Sequence, residues 1–138
     1  MNFKASNSTL ISVISLIIAI SALGYNTWRN EVSEHNRNIR ASGFELLKAS
    51  AKLQLLVDRQ FYEDSSQLSA IEGWTRINFI VALSQVMPEP VKNNSVQLKA
   101  TWSENWQSLN ISEDANKTIS TANKQLETSI IAALAALN

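Results

Sequence analysis

The sequence predicts an all-α protein: an N-terminal transmembrane helix that continues into a stalk and then into an antiparallel four-helix bundle. Three observations carry that expectation. Twenty-four consecutive residues between Lys4 and Arg29 bear no charge. Only three Gly and two Pro occur in 138 residues, too few for the turns and hairpins of an all-β design. Beyond the apolar window, apolar residues recur at alternating steps of four and three, the spacing of a helix face. A three-helix domain on a long stalk satisfies the same observations and is the alternative architecture.

Composition narrows the function classes. The chain outside the apolar window is long enough for one small domain with a single core. Twelve basic and twelve acidic side chains cancel, so no long-range field of one sign gathers polyanions, and nucleic acid is disfavoured as a partner. The absence of cysteine removes disulfides, thiolate nucleophiles and sulfur metal ligands together.

Leu10 to Leu23 alone is short for a bilayer, but its flanks, Ser6 to Leu10 and Gly24 to Trp28, are also uncharged. As a helix rising 1.5 Å per residue, the whole window extends about 36 Å, enough for the hydrocarbon core. Tyr25 and Trp28 stand where interfacial aromatics belong, and Arg29 follows as the first charge. Ser8, Ser12, Ser15, Ala19, Ala22 and Asn26 recur at helical steps, a stripe of small or polar residues that would let a second backbone approach and supply interhelical hydrogen bonds. The rival reading is a cleaved signal, with Lys4 as n-region and Ala22-Leu23-Gly24 before the cut, which would leave a secreted helical protein. Basic residues favour a cytoplasmic C-terminal domain: Lys4 and the terminal amine on one side face Arg29, Arg37 and Arg40 on the other.

No proline interrupts the chain between the anchor and Met87, so one helix is expected to leave the membrane and continue. Trp28, Val32, His35, Ile39, Ser42, Leu46, Ala49, Leu53 and Leu56 form a seam of the coiled-coil type, with Val32, His35 and Ile39 as its stalk portion. A second row, Phe44, Leu47, Ala51 and Leu55, is expected to widen the apolar face inside the bundle. The expected organisation is a tail over 1–9, an anchor over 10–28, a helical stalk over 29–43 and a bundle over 44–138.

Glu63 to Ser66 suit a turn, and Asp64 with Gln67, or Ser69 with Glu72, are spaced as capping boxes. The second helix is expected from Gln67 to Met87, on Ile71, Trp74, Ile77, Ile80, Val81 and Leu83, locally weakened by Gly73 and stopped by Pro88. Pro88-Glu89-Pro90 reads as a rigid corner before a third helix that presents Val91, Ser95, Leu98, Trp102, Trp106 and Leu109. Asn110 and Ile111 link it to a fourth helix, which Ser112 caps and Glu113 and Asp114 favour electrostatically. That helix carries Ala115, Ile119, Ala122, Leu126, Ile130, Ala133 and Leu137 on one face, and its apolar end is too short to span a bilayer.

Catalytic chemistry is not signalled. His35 has only Glu31 and Glu34 beside it, too weak a set for a metal site; in a dimer, two copies of it would respond to pH. The pairs Glu63-Asp64 and Glu113-Asp114 are explained by turns and helix starts, since adjacency does not aim two acids at one bond. Trp102 and Trp106, one turn apart, read as core, with a groove for an apolar ligand as the alternative. With no glycine-rich phosphate loop and no nucleophile set, no enzyme, cofactor or metal is expected.

The block Leu23-Gly24-Tyr25-Asn26-Thr27-Trp28-Arg29-Asn30-Glu31, followed by Asn36-Arg37-Asn38-Ile39-Arg40, resembles small bacterial single-pass membrane proteins with an N-terminal anchor and a helical C-terminal domain. That resemblance implies a bacterial inner-membrane location and lends no activity. The expected function is that of a membrane-anchored interaction protein, an accessory, assembly or scaffold subunit that pairs with a helical partner or with its own copy. The alternatives are a helical-bundle sensor of a small apolar ligand near Trp102 and Trp106, and then the secreted helical protein.

Overall fold

The computed structural model describes residues 3–63 and 70–137, with side chains described from Asn7 onward. Among these residues the regular structure is entirely helical: α1 Phe3–Tyr62, α2 Ala70–Ser84, α3 Glu89–Asn105 and α4 Glu113–Ala135, with a 3₁₀ turn at Trp106–Ser108. The chain forms two compact units, Met1–Arg37 and Asn38–Asn138. α1 contributes to both.

The first unit is the N-terminal part of α1. It contains a segment long and apolar enough to cross a membrane, and none of that segment is buried within the protein. From Asn7 to Arg37 every side chain is exposed except the half-buried Asn36.

The second unit is an all-α bundle built from the C-terminal part of α1 with α2, α3 and α4. Cross-helix pairs define its topology. Ser50 faces Asn123 and Asn116 reaches Val57, so α1 and α4 run antiparallel. Ser84 meets Ser95 near the corner while Gly73 lies under Trp102 at the far end, so α2 and α3 are antiparallel too. Asn94 donates to the carbonyl of Gln125, and Gln97 and Thr101 of α3 share a groove with Lys117, Thr121 and Gln125 of α4. The core is continuous through Leu46, Leu53, Val57, Ile77, Ile80, Val91, Leu98, Trp102, Ile119, Leu126 and Ile130. Fully burying side chains of this kind stabilises by about 1.5–3 kcal/mol each before conformational entropy is charged.

The seam from Ile39 through Leu46, Ala49, Leu53 and Leu56 is buried as its spacing predicts. The second row is not. Phe44 and Leu55 are 54% and 50% exposed, Ala51 is exposed, and Leu47 is only partly buried against the core. The inward positions on that side are Gly43, Ser50 and Val57 instead. Gly43 allows close approach of α4: a Cβ there would stand 2.7 Å from Leu134 Cδ2.

α2 ends at Ser84, earlier than the expected Met87, because Pro88 disfavours helical geometry in the residue before it. Gln85 and Met87 are held in turns by Ala82 and Ser84 carbonyls. Ile71 is 77% exposed, and Gly73 occupies the buried position on this turn. The corner is shorter than Pro88-Glu89-Pro90, since α3 starts at Glu89 and takes Pro90 into its first turn, where no N–H is needed. Ser112 caps α4 as expected, its Oγ accepting from the Ala115 N–H at 3.2 Å. The apolar end of α4 closes the bundle through Ile130, Ala133, Leu134 and Leu137. The capping boxes proposed at Asp64-Gln67 and Ser69-Glu72 have members outside the described residues.

Candidate interaction surfaces and a cavity at one end of the bundle

In the first unit, Ser8, Ser12, Ser15, Ala19, Ala22 and Asn26 are all exposed and lie along one side of α1. Ser12 Oγ donates to the Ser8 carbonyl at 3.0 Å, so in the single chain its proton is turned back on its own helix and its oxygen is left to accept. The larger apolar side chains of this helix are exposed as well, Leu10 at 61% and Ile18 at 63%. Tyr25 and Trp28 lie with ring centroids 6.1 Å apart, next to exposed Arg29. The stalk portion of the seam divides: Val32 and His35 are exposed in the first unit, whereas Ile39 is buried in the second.

Between α1 and α4 runs a polar ladder. Ser50 Oγ donates to Asn123 Oδ1 at 2.7 Å, and Asn123 Nδ2 donates back to the Ser50 carbonyl at 3.1 Å. Gln54 Nε2 donates to Ser120 Oγ at 2.8 Å and its Oε1 accepts from Asn123. Ser50 and Asn123 are fully buried, so each bond offsets a desolvation penalty that would otherwise stand. Apolar periodicity does not reveal these residues. The signal that does is a second helical row on α4, Asn116, Ser120, Asn123 and Glu127, at steps of four, three and four beside the apolar face.

A groove between α1 and α2 is lined by Glu45, Lys48, Ala49, Lys52, Thr75, Arg76 and Phe79 and encloses about 280 Å³. Lys48 donates to Glu45 at 2.8 Å, and this hydrogen bond and charge hold the Glu45 carboxyl below the usual glutamate range. Arg76 donates to Glu72 from Nη2, while its Nε is buried without a partner.

At the end of the bundle where α1 finishes and α2 begins, a cavity of about 170 Å³ is lined by Gln60, Ala70, Trp102, Trp106, Gln107, Leu109 and Asn110. Trp102 is 1% exposed, a core residue as expected. Its six-membered ring lies so close to Gly73 that a Cβ at that position would overlap Cζ2. Trp106 is half-buried and packs edge-on against Trp74, with ring centroids 6.5 Å apart. Trp102 Nε1 and Gln60 Oε1 are both sealed from solvent and have no hydrogen-bond partner. Among the described residues, no group of three or more His, Cys, Asp or Glu is placed to hold a metal ion.

No protein-family model matches this chain, and neither a curated protein nor a solved structure matches it at a significant level. The functional reading therefore rests on its own surfaces.

Proposed function

We propose that this protein is a membrane-anchored interaction protein, an accessory, assembly or scaffold subunit whose N-terminal helix pairs with another transmembrane helix. The observation that supports the reading is the exposure of the first unit: the apolar, membrane-length window of its helix is not buried within the protein. Leaving Leu10, Ile11, Ile14, Ile17, Ile18 and Leu23 in water is costly, and a lipid bilayer removes that cost. Within lipid, apolar side chains no longer drive helices together, and close backbone approach along small residues does. The side of α1 that carries Ser8, Ser12, Ser15, Ala19, Ala22 and Asn26 suits that contact. The location that goes with this reading is a bacterial inner membrane with the bundle on the cytoplasmic side, and the partner is a helical protein or a second copy.

The test is crosslinking in native membranes combined with sizing in mild detergent. A dimer or a defined co-purifying membrane protein is expected. In the Ser15→Leu/Ala19→Leu double variant, association weakens by about tenfold, while Ile17→Leu, off the stripe, leaves it unchanged. A monomer without a partner, or association indifferent to the double variant, overturns the proposal.

A further inference from the structure

On a chain whose charges cancel overall, the groove between α1 and α2 is locally basic: Lys48, Lys52 and Arg76 line it against the single carboxylate of Glu45. Glu45 is engaged by Lys48, and Arg76 by Glu72 from outside the lining. Lys52 is exposed and has no hydrogen bond or ion pair among the described residues, so its charge stands uncompensated.

Bulky apolar side chains surround these cations. Phe79 lines the groove and is 50% exposed. Phe44 lies four residues before Lys48 and Leu55 three after Lys52, so the four side chains form one continuous exposed strip on α1. A single exposed apolar residue needs no explanation, but three around the same lysines mark a surface suited to a partner. The seat is concave and runs between two helices, the shape that accepts the side-chain ridge of a third. An anionic lipid surface would attract the lysines, but it has no knob to fill the groove and would be repelled by Glu45.

We infer that this groove docks an acidic amphipathic helix of a partner protein. The apolar row of that helix seats against Phe79, and its carboxylates lie beside Lys48, Lys52 and Arg76. The groove belongs wholly to the second unit, so this contact is separate from the transmembrane pairing proposed above.

The experiment uses the full chain in mild detergent and two labelled synthetic helices that share leucines at i, i+3 and i+7. One carries glutamates beside the leucine row and the other lysines. The acidic peptide is expected to bind, to shift the Phe79 ring signals in NMR and to bind more weakly as salt rises; the basic peptide is expected not to bind. Lys52→Glu, at an exposed position without bonds, should fold as the parent does and weaken acidic-peptide binding by about fivefold. Lys99→Glu, the same charge change at an exposed position on α3, should leave it unchanged. Phe79→Ala should weaken it by about tenfold. No binding of the acidic peptide at millimolar concentration, equal binding of both peptides, or equal loss in the two lysine variants overturns the inference. So does a shift of the Phe79 signals without peptide: on transfer to anionic lipid nanodiscs it assigns the surface to the membrane, and on raising protein concentration to a second copy. Because binding is read on the peptide, a chain that fails to pair through its transmembrane helix still gives a result here.

Discussion

Gly73 is the residue on which the α2–α3 contact turns. In sequence it reads as a weak point, because glycine costs a helix about 1 kcal/mol relative to alanine. In the folded chain it is buried beneath Trp102, whose ring would have to shift to admit a Cβ. Gly73→Ala should therefore destabilise the bundle by about 1–3 kcal/mol, overpacking outweighing the gain in propensity. A denaturant midpoint at or above the parent's would refute that. Glu45 makes a second residue-level case. Its carboxyl is held low by Lys48, so its contribution is present above the unfolded glutamate pKa and is lost as pH falls through the lowered folded value. In Lys48→Met, the Glu45 carboxyl should titrate at a higher pH, as read by side-chain NMR. The parent's advantage over that variant should vanish in strong acid, and high salt should shrink it because the pair is exposed.

At the scale of elements, Ser112 is the clearest boundary. Ser112→Ala removes the acceptor for the Ala115 N–H and should cost about 1 kcal/mol, measured by thermal or urea unfolding; Ser112→Asp should retain most of the stability. The helix faces show why some packing was legible and some was not. On α4, a single apolar row stands against polar neighbours, and Ala115, Ile119, Ala122, Leu126 and Ile130 are buried as read. On α1, two apolar rows compete, and hydrophobicity alone cannot rank them. The structure buries the side that carries Gly43 and Ser50 and leaves Phe44 and Leu55 outside. Small residues and a buried hydroxyl permit the α1–α4 approach that phenylalanine would prevent, a constraint that exists only once the partner helix is in place. The cavity is hidden for a similar reason. Trp102 and Trp106 are conspicuous in sequence, but Gln60, some forty residues earlier, comes beside them only through the bundle's closure.

At the scale of the whole molecule, the second unit contains its own core, running from Ile39 to Ile130. A chain of residues 38–138 should therefore remain helical in water and unfold cooperatively, by circular dichroism and calorimetry. It should leave the membrane fraction in a carbonate wash that the full chain resists. Loss of cooperative unfolding in the shorter chain would show that the bundle depends on the first unit. The division also places the proposed association surface, the stripe on α1, in the unit of residues 1–37.

The ladder of Ser50, Gln54, Ser120 and Asn123 bears on motion along α1. A shifted apolar contact can be partly remade with a new neighbour, whereas a buried amide or hydroxyl that loses its partner bears the full desolvation penalty. Displacing α1 by one helical turn along α4 would break these bonds together and strand two carboxamides and a hydroxyl in the interior. Intermediate positions are therefore penalised along with the end state. The ladder thus specifies one register of α1 against α4, which the apolar rows alone would leave less sharply defined.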